Sequence, residues 1–403
     1  MVKVFLICLI NLLPIALVAQ NPIDKNTNID TTGQKDLIDI GRSILKDKPR
    51  EDQFQEKKRI YFSILPISTS IPGGGTALVT STTAGIYLGD PKTTYLSSVS
   101  FTPYFNLKGR YGLPIRSSIW LKDNSWNIQG DTRFLVYPQY TWGLGGKQRE
   151  NNKFLVNYKY LRFYQSALKR LTSYFYLGIG YDIDYYIDVE GSSTTNSLST
   201  FTKYRFGTLN EKSYFSSGPT LNLLYDTRKN SLNPFPGIYA NVVYRYNSTA
   251  LGSDNNWQSL YADFRKYVSL TDKGPKNILA FWSFYWTSLT TGAPFLNLPA
   301  IGMDPYQRSG RGIEQNRYRG RRLIYFESEY RRDITSNGLL GFVVFANVNS
   351  ASQYQNNKFL YWNPAAGSGL RIKFNKKSDT NICIDYGFSK NYSNAILSLG
   401  EAF

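Results

Sequence analysis

The sequence predicts an all-β fold: a 16-stranded antiparallel transmembrane β-barrel. Three observations carry that prediction. From Arg59 onward, runs of alternating polar and apolar residues follow one another between turn signals. Tyr, Phe and Trp make up 16% of the chain, enough to supply the aromatic girdles of a membrane barrel. No segment reaches the ~18 consecutive apolar residues of a spanning helix, and alternation hides the apolarity a barrel needs.

The elements follow in order. Residues 1–19 read as a secretory signal peptide: Lys3 starts it, Val4–Val18 is the apolar core and Ala19 is small enough for cleavage. Cys8 lies inside that core, so maturation leaves Cys383 alone and excludes a disulfide framework. Residues 20–58 are polar and too few for a core of their own. They read as a periplasmic tail or a plug, with one short amphipathic helix over Leu37–Leu45. Residues 59–403 form the barrel. Expected strands lie at 60–71, 76–89, 93–108, 111–123, 125–137, 153–168, 171–187, 214–227, 237–248, 256–270, 277–290, 322–333, 339–349, 359–374, 380–389 and 394–403. The connections at 138–152, 188–213, 249–255, 291–321 and 350–358 fall on the outward side of this count, and inward ones such as 90–92, 124 and 169–170 are shorter, as expected when long loops face outward and short turns face the periplasm. The first two outward connections are short as well, so the alternation is imperfect.

Alternation assigns faces. Ile278, Ala280, Trp282, Phe284 and Trp286 are expected toward lipid, with Ser283 and Thr287 inward. Ile382, Ile384, Tyr386 and Phe388 are expected outward, with Asn381, Cys383, Asp385 and Gly387 inward.

Composition excludes several functions. The formal charge of +18 would suit nucleic acid, but the basic residues are spread along an exported chain, and a cationic lumen accounts for them. There is no histidine. Ser-His-Asp and Cys-His catalysis and histidine metal sites are therefore absent, and one cysteine cannot build a thiolate zinc site. The expectation is a non-enzyme without cofactor or metal, whose partner is outer-membrane lipid.

Three segments resemble the BamA/TamA outer-membrane assembly family, also called the bacterial surface antigen family. The first, YDTRKNSLNPFPGIYANVVY at 225–244, matches the family's strand–turn–strand motif at Asp226, Thr227, Arg228, Asn233, Pro234, Gly237 and Tyr239. Asn233-Pro234 and Pro236-Gly237 make a rigid turn. The second, RSGRGIEQNRYRGRRLIYFESEYRRD at 308–333, places Arg311-Gly312 like the tip of the family's sixth extracellular loop, which folds into the lumen. Gly312 permits a tight turn. The resemblance implies that Arg311 pairs with Glu329; Glu327 shares the face of Glu329, two positions away. On the next strand Asn347 stands where the family offers an acid, so the loop anchor is expected to rest on Glu329. The third segment, 363–403, resembles the closing strands and ends at Phe403, like the terminal aromatic that marks such proteins for insertion. Gly400 and Phe403 are expected in the last strand, at the seam with the first, and Gly367, Gly369 and Gly400 are expected to loosen the closing strands.

The resemblance implies a role in outer-membrane protein insertion or translocation through a lateral seam, with client barrels or assembly lipoproteins as partners. Residues 20–58 are too short for a POTRA domain, which favours a short member, and the leader resembles those of Bacteroidetes. A non-insertase accessory barrel and a passive anion-selective porin are the alternatives.

Overall fold

A computed structural model describes residues 33–45, 60–70, 76–106, 109–191, 198–208, 212–228, 230–271, 275–376 and 378–403. The expected leader and most of the expected tail lie outside these residues. Eighteen strand segments form one sheet: β1 Ile60–Ser70, β2 Thr76–Ile86, β3 Ser97–Phe101, β4 Tyr104–Phe105, β5 Tyr111–Trp120, β6 Trp126–Val136, β7 Gln139–Thr141, β8 Phe154–Arg170, β9 Phe175–Gly191, β10 Tyr214–Asp226, β11 Gly237–Asn247, β12 Trp257–Ser269, β13 Asn277–Ser288, β14 Arg322–Asp333, β15 Leu340–Ala351, β16 Asn363–Asn375, β17 Thr380–Ser389 and β18 Tyr392–Leu399. Every ladder is antiparallel, and the ladders follow chain order.

The count departs from the expected sixteen at two places. β3 and β4 lie end to end between β2 and β5, and β6 and β7 both pair with β8. Each break holds a proline, Pro103 or Pro138, which has no N–H for the ladder. Single bonds carry pairing across the gaps: the Thr80 N–H donates to the Pro103 carbonyl and the Tyr137 N–H to the Tyr158 carbonyl, both at 3.0 Å.

Burial alternates along the strands. Ile115, Phe163, Ile179, Phe326, Val344 and Ile384 are exposed, whereas Arg133, Asp184, Asp263, Glu329 and Arg371 are buried. An apolar outer face around a charged interior is the reverse of a soluble sandwich and fits a sheet bathed in hydrocarbon. In that medium an open edge would leave backbone groups unpaired. The sheet curls until β18 lies beside β1, yet among the described residues no ladder joins the two.

The long connections 142–153, 289–321 and 352–362 lie at one end, the loop end; at the other, which we call the turn end, the connections among the described residues have ten residues or fewer. Helix α1, Leu37–Ile44, forms where the amphipathic run predicted a helix, and Asp36 and Asp39 close its N-terminus as a capping box. It docks at the turn end. The Asp36 carboxylate accepts from the Lys376 N–H at 2.8 Å, and Lys376 Nζ donates to Asp39 at 2.8 Å.

One facing assignment was inverted. On β13, Ile278, Ala280, Trp282 and Phe284 are buried in the interior, while Phe281 is exposed. The ladder pairs Trp282 with Glu327 and Ala280 with Glu329, so these apolar residues share the lumenal side with the carboxylates. Trp286 falls on the same side, stacked edge-on against Tyr261. Ser283 lies on the outer side with Phe281, and Thr287 is buried near the end of the strand. Both faces of β13 are apolar, so the period of two was legible but its phase was not. On β17 the assignment holds: Cys383 and Asp385 are buried, and Ile384, Tyr386 and Phe388 are exposed.

The interior is filled from both ends. The 289–321 connection enters from the loop end. At the turn end, β18 stops at Leu399, Gly400 takes a left-handed φ of 80°, and residues 401–403 turn inward. Gly400 and Phe403 therefore do not extend the closing strand. Phe403 is buried against Trp282 and Tyr267, with ring centroids 5.2 and 6.1 Å away.

Candidate functional site: a lumenal arginine loop

The 289–321 loop carries five arginines, all from Arg308 onward, and a sixth, Arg322, opens β14; most are paired within the molecule. At its tip stands Arg311, which is buried. Its Nε donates to Glu327 at 3.0 Å, its Nη2 to both Glu327 and Glu329, and its Nη1 to Asp385 at 2.7 Å. Its guanidinium carbon lies 3.7 Å from the centre of the Phe345 ring. Strand alternation puts Glu327 and Glu329 on one face of β14, two positions apart, and the planar fork of arginine reaches both.

The structure thus brings Arg311 and Glu329 together and adds partners. Asn347 holds no charge, but its amide donates to the Arg311 carbonyl at 2.9 Å. The further acid comes from β17 as Asp385, so the anchor does not rest on Glu329 alone. The inward phase of 382–388 already pointed to Asp385. What the sequence did not show is that the loop tip crosses β15 and β16 to reach it. Gly369 makes this possible, because a β-carbon there would lie 1.9 Å from an Asp385 oxygen. Gly367 likewise leaves room for Phe345. These glycines admit side chains from neighbouring strands; the pairing of β16 with β17 runs on through both.

Gly312 has φ 84° and presses its backbone against Gly387 and Phe388. Its N–H donates to the Asn394 side chain on β18 at 3.1 Å. The tip therefore touches β14, β15, β17 and β18.

The rest of the loop crosses the lumen. Arg133 on β6 donates to the Pro305 carbonyl at 2.7 Å, and Arg116 on β5 to the Tyr306 carbonyl at 2.9 Å. Asp131 accepts from Arg133, with a 2.6 Å bond from Nε. Asp304 turns the loop by accepting from the Ser309 N–H at 2.9 Å. Arg308 reaches the backbone carbonyl of Glu401 at 2.5 Å. Glu401 is held by Arg371 at 2.8 Å and by Asn381 at 2.9 Å, and Arg331 bridges Glu329 at 2.6 Å to the Phe403 carbonyl at 3.0 Å. One buried network thus joins loop tip, closing strands and tail. Within it each charge has a partner, the condition under which buried ions persist.

The 225–244 motif sits apart, at the turn end. Arg228 forms a two-pronged pair with Asp226, both bonds 2.9 Å, and lies 4.0 Å from the Tyr239 ring centre. Thr227 Oγ1 accepts from the Ile238 N–H at 2.8 Å, next to Gly237. Asn233 and Pro234 are buried, and the turn reaches over the barrel end. Asn230 and Asn233 donate to the carbonyls of Ser378 and Asp379 at 3.0 and 3.1 Å, and the Leu232 carbonyl accepts from the Glu401 N–H at 2.9 Å. Rigid-turn chemistry was legible from the sequence; its partners across the barrel were not.

Comparison with solved structures places this architecture. BamA from Haemophilus ducreyi lacking POTRA domains 1–3 superposes with a TM-score of 0.50 at 14% identity, over 84% of this chain and 68% of that one. The fold is that of the BamA barrel. CdiB from Acinetobacter baumannii is similar with a TM-score of 0.52 at 11% identity, over 85% of this chain, and CdiB from Escherichia coli with 0.52 at 12%, also over 85%. The chain spans 60% and 61% of those two proteins. No protein-family model matches the chain, and no curated protein matches it either. Among the described residues no helix is long and apolar enough to cross a membrane, and no cluster of ligands suits a metal ion.

Proposed function

We propose that this chain is a bacterial outer-membrane barrel of the BamA/TamA type that helps insert or translocate client proteins across a lateral seam. The observation that carries the proposal is the pairing of two features. β18 lies beside β1 without a ladder between them, and the lumenal loop is fastened beside that seam through the Gly312–Asn394 bond. A free strand edge is a template on which a client strand can pair by β-augmentation. The Arg311 anchor then serves to hold β14, β15, β17 and β18 in register while the edge stays open. The fold shared with BamA and CdiB supports the reading.

The filled lumen speaks against a passive anion pore. Its cations are engaged with Glu327, Glu329, Asp385 and Glu401 rather than lining a free channel. It suits an accessory barrel as well as an insertase. Reconstitution separates them: the purified chain in liposomes is expected to speed insertion of an unfolded client barrel. A rate equal to that of empty liposomes rejects the insertase reading, and a large steady conductance revives the pore.

A further inference from the structure

A cleft of about 660 Å³ opens at the loop end, away from the lumenal network. Three connections build it: residues 142–154, 200–203 and 353–355. Its size is that of a small-molecule site. Phe154 and Phe201 stack at 4.4 Å and stiffen one wall, and Tyr354, 44% exposed, forms an aromatic edge on another. Between them stand the amides of Gln148, Asn151, Asn152, Gln353 and Gln355. Each amide carries N–H donors and an acceptor; part of this set is used within the wall, where Asn152 donates to Gln148 at 3.4 Å and Gln148 to the Gly145 carbonyl at 3.3 Å. The Trp142 indole N–H and the Gln353 amide nitrogen are buried donors without a hydrogen-bond partner, which buried groups rarely lack.

The charges in the lining have one sign. Lys147 and Lys203 line the cleft and no carboxylate does. Lys147 lies over the Tyr361 ring at 5.4 Å, and among the described residues neither lysine is in an ion pair. The nearby Glu150 is engaged by Arg317 at 2.9 Å and by Lys153 at 3.7 Å.

We infer that this cleft binds an acidic oligosaccharide. Amides in number match vicinal hydroxyls, which donate and accept at once. An exposed aromatic face matches the apolar C–H face of a sugar ring. Two unpaired ammonium groups match carboxylate, sulfate or phosphate on the saccharide. A hydrophobic peptide or a lipid chain would not use so many amides, and a neutral glycan would not use the lysines.

The test measures binding of oligogalacturonate and of maltohexaose to the full chain in lipopolysaccharide-free nanodiscs. Saturable binding of oligogalacturonate, and much weaker binding of maltohexaose, is expected. Lys203→Glu and Tyr354→Ala should each weaken it by about tenfold or more, the scale of one lost charge-assisted contact, while Lys92→Glu at the opposite end should not. Repeating the titration with lipopolysaccharide in the nanodiscs identifies the source: competition points to a lipid-linked glycan, undiminished binding to a soluble one. Equal affinity for the two probes, no saturable binding, or binding indifferent to both cleft variants overturns the proposal. The Lys203→Glu variant lies in an outer connection, and unchanged heat-modifiable migration would show that it still folds.

Discussion

Gly312 rests on Gly387 backbone to backbone: a β-carbon on Gly387 would lie 2.6 Å from the Gly312 nitrogen, and one on Gly312 would lie 2.9 Å from the Gly387 carbonyl carbon. No side chain fits at either position without moving the loop tip off β17. Gly387→Val is expected to cost about 1–3 kcal/mol through overpacking and to expose the 289–321 loop. Limited proteolysis of the intact barrel checks this, since a protected loop in the variant contradicts the contact.

Arg311 balances three carboxylates. Arg311→Ala leaves Glu327 without a cation and takes one of two from Glu329 and Asp385, which keep Arg331 and Arg371; breaking such a buried cluster costs about 3–5 kcal/mol. Arg311→Lys keeps the charge but loses the fork and should fall between. The midpoint of heat-induced mobility change on gels orders the three proteins; an alanine variant as stable as the parent removes the anchor from the account.

A second anchor was not visible in the sequence. Arg133 is 1% exposed and holds the Pro305 carbonyl on the wall opposite Arg311. Arg133→Met should free that part of the loop at a cost of about 1–3 kcal/mol, the penalty of an orphaned buried acceptor. Planar-bilayer recordings should then show more frequent brief openings than the parent, while the Arg311 contacts persist.

Phe403 fills a pocket of Trp282, Tyr267 and Arg331. Phe403→Ala should destabilise by about 3–5 kcal/mol, as for other buried phenylalanines, and should change the emission of Trp282. A Phe403→Ala protein with unaltered fluorescence and unfolding would place this ring elsewhere.

Docking of α1 depends on pH. Burial opposes ionisation of Asp39, but the hydrogen bond and charge of Lys376 outweigh it and hold the carboxyl below its ordinary range. A depressed carboxylate stabilises the docked form above its unfolded pKa, and that contribution is lost as pH falls through the folded value. The helix is therefore expected to stay docked at neutral pH and loosen below about pH 4. A fluorophore at Ser43→Cys reads this out, because Cys383 is buried; Lys376→Ala should loosen the helix already at neutral pH.

The alternation of β14 and β17 was readable because each has one polar and one apolar face. β13 was not, since Trp282 and Phe281 look alike to a period of two although one is buried and the other exposed. Arg311 and Glu329 were found because a motif marks them. Asp385 and Arg133 escaped as loop partners because their contacts lie 74 and 172 positions away in the chain, and no local pattern encodes such a distance. The breaks at Pro103 and Pro138 were in plain view, but a proline says only that one ladder bond is missing, not that the strand is divided.

The turn at 227–236 has a kinetic meaning. Its asparagines meet Ser378 and Asp379 across 148 and 146 positions of chain, among the costliest contacts to form early because their loop entropy must be met first. They cannot appear until the far half of the cylinder has arrived. This turn works as a mark that strands β11–β16 have curled round far enough to bring the 376–379 turn back to it.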